Sequence, residues 1–121
     1  MVQPMSAYDS PEMLRVLDEC KKGNYSVAFA LVLPLAEGGN PKAQCWLASF
    51  YQLGLGTATD GRKAAELYKK VAERNISEEM LSAVAYNNLS SIYFGGLPGV
   101  NRDTDEGEKY RELARQLGFP M

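Results

Sequence analysis

The chain has 121 residues, 45% hydrophobic and 23% charged, with a formal charge of −2; that is enough apolar material for one globular domain, and it offers no basic field for nucleic acid or an anionic membrane. It contains no histidine, and its two cysteines, Cys20 and Cys45, lie 25 residues apart, so neither a zinc pair nor a histidine-based nucleophilic triad can be assembled. Both thiols read as reduced, buried small hydrophobes, and the expectation is a cytoplasmic non-enzyme with no catalytic, cofactor or metal site.

The opening MVQPMSAYDSPEM has neither a basic n-region nor an apolar run, so no secretion signal is expected and residues 1–9 read as an N-terminal arm. Beyond it, start and stop signals give six helices and no strand. Ser10 before Pro11 predicts a capped first helix with Leu14, Leu17 and Cys20 on one face, running to Gly23. Asn24 opens a second, Tyr25 to Glu37, with Ala28, Leu31, Leu35 and Ala36 at helical spacing and a stop at Gly38-Gly39. Pro34 inside it predicts a kink or a shortened last turn. Asn40-Pro41 repeats the cap-then-proline signal for a third helix, which ends at Gly54 and Gly56. Asp60 caps a fourth, carrying Ala64, Leu67, Tyr68, Val71 and Ala72 as an apolar stripe. Ser77 starts a fifth, with Leu81, Val84, Ala85, Leu89, Ile92 and Tyr93 before Gly95-Gly96. Met80 to Asn101 is uncharged over 22 residues, yet Asn87, Asn88, Ser90, Ser91, Gly95, Gly96, Pro98 and Gly99 make it too polar and broken to span a membrane. The sixth begins at Asp103 with Glu106 three residues on, a capping box of the Asp variety, and closes at Gly118. Residues 119–121 form a tail.

Short helices with short connections invite a search for repeats. Ala43, Leu47, Tyr51 and Gly54 recur as Ala85, Leu89, Tyr93 and Gly96 at an offset of 42, and Gly56, Asp60 and Ala64 recur as Gly99, Asp103 and Gly107 at 43. An upstream copy aligns Ala28, Leu31, Leu35 and Ala36 with Ala64, Leu67, Val71 and Ala72 at 36. The result is an all-α chain of about three helix-turn-helix repeats, near 10–39, 40–76 and 77–118. Tyr51 and Tyr93 follow Leu47 and Leu89 by one helical turn, so each pair lines the same inward stripe.

These segments resemble the Sel-one-like repeats, a branch of the tetratricopeptide-like helical solenoids. GNYSVAFALVLPLAEGGNPKAQ is similar to the family's opening segment, AQCWLASFYQLGLGTATDGRKAAELYKKVAERN to its helix, glycine loop and second helix, and AYNNLSSIYFGGLPGVNRDTDEGEKYRELARQLG is a further copy. Coverage runs from about Glu12 to Gly118. The chain departs from the family pattern where Ala48 and Ser90 replace a glycine, Thr57 a valine and Gly107 an alanine. The resemblance implies a right-handed α-solenoid that serves as a protein-binding module, with the first helix in each pair lining a concave groove.

Acidic clusters at Asp103, Asp105, Glu106 and Glu108 and at Glu78 and Glu79 read as charge complementing helix N-termini. Arg62, Lys63, Lys69, Lys70 and Arg74, balanced by Glu66 and Glu73, read as a solvated face. Charge sits on the second helix of the second pair, leaving the first helix uncharged after Lys42. Trp46, Ser49 and Leu53 fall off the core stripe of Ala43, Leu47, Phe50 and Tyr51, and Trp46 and Ser49 align with Asn88 and Ser91 of the next copy. A partner site over Trp46, Ser49, Leu53, Asn88, Ser91 and Phe94 is therefore expected, with Trp46 as anchor unless the first repeat or the arm around Tyr8 covers it. The partner is another protein: a toxin or secreted effector neutralised by a small cytosolic immunity protein, or a larger bacterial complex that this chain serves as adaptor or assembly subunit. Open repeat ends leave room for homo-oligomers.

Overall fold

The structure, a computed structural model, describes residues 10–74 and 79–119. Among them are six helices: α1 (Pro11–Lys21), α2 (Tyr25–Glu37), α3 (Pro41–Leu53), α4 (Gly61–Arg74), α5 (Glu79–Gly95) and α6 (Thr104–Gln116). Each packs on the next along the chain, and α3 also touches α5, so three hairpins stack with α1, α3 and α5 as first helices and α2, α4 and α6 as second. The start proposed at Ser77 lies outside the described residues.

Capping explains most of the boundaries. The Ser10 hydroxyl accepts from Met13 N at 3.2 Å, Asn40 Oδ1 from Ala43 N at 3.1 Å, Asp60 Oδ1 from Lys63 N at 3.1 Å and Asp103 Oδ1 from Glu106 N at 3.1 Å, each satisfying one of the unpaired amides at a helix start. Two expectations change. Asn24 makes no side-chain cap and instead donates from Nδ2 to Glu19 Oε2 at 2.9 Å. At Asp103 only one arm of the capping box forms, because the Asp103 amide donates to the Tyr93 carbonyl at 2.7 Å while Glu106 pairs with Lys109. The Asp60 amide reaches the Tyr51 carbonyl at 2.9 Å in the same way. Both hairpins are thus closed by a tyrosine carbonyl at the end of the first helix and a capping aspartate at the start of the second.

The first two helices also depart from expectation. In α1 the buried stripe is Met13 and Val16, while Leu14 is 50% and Leu17 40% exposed. Helical periodicity permits either stripe, and α2 approaches α1 on the Met13–Val16 side, where the two residues join Ala28 and Val32 in one cluster. Pro34 does not end α2, which continues to Glu37. Pro34 and Ala30 are both exposed, so the Ala30 carbonyl that loses its intrahelical partner faces water instead of the core.

Two clusters make the core. One holds Met13, Val16, Ala28, Val32, Ala36, Ala43, Leu47 and Phe50, and the other gathers Tyr68, Val71, Leu89, Ile92 and Tyr110 around the small residues Ala48, Ala64 and Ala85. Helix α3 feeds both, through Leu47 and Phe50 on one side and Cys45 and Ala48 on the other. Each large side chain fully removed from water contributes about 1.5–3 kcal/mol, so α3 links two apolar assemblies. No helix among the described residues is long and apolar enough to cross a membrane.

The loops lock each hairpin to its predecessor. After α3, Gly56 passes so close to the start of α2 that a Cβ on it would lie 2.3 Å from the Tyr25 carbonyl oxygen. After α5, Leu97 and Val100 form an antiparallel bridge, and the Pro98 carbonyl accepts from Gly61 N at 2.8 Å at the start of α4. There the close approach falls on the helix side, since a Cβ on Gly61 would lie 2.7 Å from Leu97 Cβ and from the Pro98 oxygen.

Candidate functional site

The first-helix face is built around Trp46. Its ring is half-buried against the Met13–Phe50 cluster, and with Leu17, Cys20, Ser49 and Phe50 it lines an open cleft of about 200 Å³ between α1 and α3. The first repeat therefore covers one side of the tryptophan and leaves the other facing the cleft. Lys42 Nζ lies 5.8 Å from the ring centroid, so this cation is held over the indole face. Tyr8 lies outside the described residues.

Leu53 is 64% exposed, two turns along α3 from Trp46. Ser49 stands between them, but its Oγ lies 2.7 Å from the Tyr68 hydroxyl and 3.2 Å from the Cys45 carbonyl. The Tyr68 hydroxyl in turn donates to Gln52 Oε1 at 2.8 Å and is hydrogen-bonded by the Asn88 side chain. Burial raises this phenol well above the ordinary tyrosine range, outweighing the hydrogen bonds from Ser49 and Asn88. A neutral hydroxyl from α4 thus reaches between α3 and α5 and ties Ser49, Gln52 and Asn88 together.

Ser91 is exposed and its Oγ donates to the Asn87 carbonyl at 3.3 Å. Phe94 does not line the Trp46 cleft. Its ring lies against Gly107 of α6, close enough that a Cβ there would stand 2.9 Å from Phe94 Cδ1, and the Arg111 guanidinium sits 6.0 Å from its centroid. Phe94 belongs to the seam between α5 and α6, because it occupies the position at which Gln52 meets Tyr68 one repeat earlier.

Sequence reading missed Leu17 and Cys20 as cleft residues, having assigned them to the core stripe of the first helix. The signal was present in the competing stripe of Met13 and Val16, whose burial turns Leu17 outward. Cys20 is half-buried and Cys45 buried, and both are free. Burial pushes the Cys45 thiol up to about 11 and raises Cys20 as well, so neither is an activated nucleophile.

The charged clusters have structural work. Asp103 caps α6, Asp105 and Glu106 occupy its first turn, and Glu108 pairs with Arg111 at 3.4 Å. Glu78 lies outside the described residues. On α4, Lys63 stands 5.2 Å from the Tyr51 ring centroid and Lys69 5.5 Å from that of Tyr93, so part of the basic face rests on the first-helix tyrosines.

The Sel1 repeat model matches residues 41–76 and 83–119, the α3–α4 and α5–α6 hairpins. A crystal structure of a Sel1 repeat protein from Oxalobacter formigenes superposes with a TM-score of 0.69 at 25% identity, covering 89% of this chain and 40% of that one. Chitin synthase regulatory factor 3 of Schizosaccharomyces pombe is 32% identical over 87 residues, 72% of this chain, and the match spans 9% of that relative's length. Sel1 repeats are non-catalytic protein-interaction modules of the tetratricopeptide-like superfamily, and the architecture is their right-handed α-solenoid. With the matched repeats covering more than half of its residues, the chain belongs to the Sel1 repeat family.

Proposed function

We propose that the three repeats, near 10–39, 40–76 and 77–118, act together as a partner-binding module whose contact surface centres on Trp46 and Leu53. The observation that carries this reading is the open apolar cleft of Leu17, Cys20, Trp46 and Phe50, together with the exposed Leu53 two turns beyond Trp46 on α3. A half-covered tryptophan is pre-ordered by its own protein, so its remaining face can be buried by a partner at small entropic cost. Ser49, Asn88 and Ser91 form the polar flank, and Phe94 contributes by holding α6 against α5.

Two forms of this function differ in what happens to the partner. The relative that is a chitin synthase regulatory factor favours an adaptor or regulatory subunit. The narrower form, an immunity protein that neutralises a toxin or secreted effector in the cytosol, rests on the same uncharged surface. Capture from the native host with the wild-type chain and with Trp46→Ala and Leu53→Asp tests the module. The expected outcome is a partner that both variants lose by tenfold or more (about 1.4 kcal/mol) while keeping wild-type helicity and melting. Equal retention of every captured protein by the three chains would remove the assignment. Assay of the captured protein alone and in complex separates inhibition from assembly.

A further inference from the structure

A second cleft, sharing no residue with the first, lies between α4 and the loop joining α5 to α6. It measures about 530 Å³ and is lined by Arg62, Glu66 and Lys69 of α4, by Tyr93, and by Asn101, Arg102 and Asp103. Ala65 and Val100 complete an apolar wall beside the tyrosine ring. Three cations thus surround a partly apolar floor. Two carboxylates, Glu66 and Asp103, oppose them, Asp103 also accepting the Glu106 amide as the cap of α6, so the lining carries one more cation than anion. Lys69 is held over the Tyr93 ring, whereas Arg62 and Arg102 are exposed and carry no ion pair among the described residues.

We infer that this cleft binds the carboxylates of a glutamate-rich peptide segment. Two unpaired guanidinium groups match carboxylates in planar, two-point hydrogen bonding, and the wall of Ala65, Val100 and Tyr93 suits the aliphatic stem of a glutamate. Phosphate fits less well. At the starts of α4 and α6 the Lys63 and Glu106 amides, of the kind that it ordinarily seeks, are taken by the protein's own Asp60 and Asp103.

The test uses a fluorescein-labelled hexaglutamate peptide and the full chain at low salt. Saturable binding is expected, reduced about tenfold or more by Arg62→Gln with Arg102→Gln and left within twofold by Lys21→Gln with Lys22→Gln, a control of equal charge on the first hairpin. Trp46→Ala should not alter it, which keeps this result independent of the groove. Equal loss in the control would show attraction to net charge alone and overturn the inference. So would absence of saturable binding, or preference for a phosphoserine peptide over hexaglutamate. Both arginines are exposed, so their replacement leaves the fold intact, and matching melting curves verify this.

Discussion

In the α3–α4 hairpin, Gln52 of the first helix meets Tyr68 of the second, whereas the same two places in α5–α6 hold Phe94 and Arg111. One hairpin puts the aromatic ring on the second helix and the polar group on the first, and the other reverses them. Around this exchange the backbone connections stay the same: Tyr51 and Tyr93 carbonyls accept from Asp60 and Asp103 amides at 2.9 and 2.7 Å. The comparison separates positions that build a repeat from positions that neighbouring residues are free to negotiate. Trp46 and Asn88 are of the second kind, which is why one faces an apolar cleft and the other serves the Tyr68 hydroxyl.

The largest expected difference between the hairpins lies in their loops. At Gly56 a methyl group would meet the Tyr25 carbonyl oxygen at 2.3 Å with φ at +71°, whereas at the equivalent Gly99, with φ at +88°, the nearest atoms belong to Arg62 at 3.5 Å. Gly56→Ala should therefore cost about 2–5 kcal/mol, backbone strain plus collision, and Gly99→Ala about 1–2 kcal/mol from strain alone. Urea unfolding of both variants measures the gap. Equal losses would mean that the loop after α3 can lift off α2 without penalty.

A smaller effect distinguishes Tyr68 from Arg111. Tyr68→Phe keeps the buried ring and removes the hydroxyl shared by Ser49, Gln52 and Asn88; these half-buried groups can turn toward water, so a loss of about 1–1.5 kcal/mol is expected. Arg111→Ala, at an exposed guanidinium over Phe94, should cost about 0.5 kcal/mol. Chemical denaturation of the two variants compares them. If the arginine mattered more than the hydroxyl, the α5–α6 seam and not the Tyr68 node would be the polar anchor of the stack.

The fold was legible because the signals that set it are local. Cap residues at Ser10, Asn40, Asp60 and Asp103 and the spacing of Ala43, Leu47 and Tyr51 act within one or two turns, and the offset to Ala85, Leu89 and Tyr93 exposes the duplication. The site was legible only in part, since burial across hairpins is decided by a neighbour that local spacing does not name. Leu14 and Leu17 look as good a stripe as Met13 and Val16 until α2 selects between them. Phe94 has the spacing of a surface residue until Gly107 gives its ring a seat. The Tyr68 hydroxyl, which organises Ser49 and Asn88, comes from another helix and could not be found by reading either residue's own surroundings.

Gly107 supplies the finest test of the negotiated positions. The equivalent residue in the preceding repeat is Ala64, fully buried, so the missing methyl group at 107 is no general requirement of the fold. Where Phe94 stands, an added Cβ would lie 2.9 to 3.0 Å from three ring carbons. The ring is the end of a side chain and can yield by tenths of an ångström, which limits the collision to about 1–2 kcal/mol. Against it stands the gain of about 1 kcal/mol from replacing glycine by alanine inside a helix. Gly107→Ala alone should then be neutral to about 1 kcal/mol destabilising, whereas in a Phe94→Gln background, which removes the ring and puts at 94 the residue type of Gln52, it should stabilise by about 1 kcal/mol. A double-mutant cycle in urea reads the coupling directly. Additivity would mean that the ring does not set the residue at 107, and the exchange between hairpins would then stop at Gln52, Tyr68, Phe94 and Arg111 without reaching the helix interior.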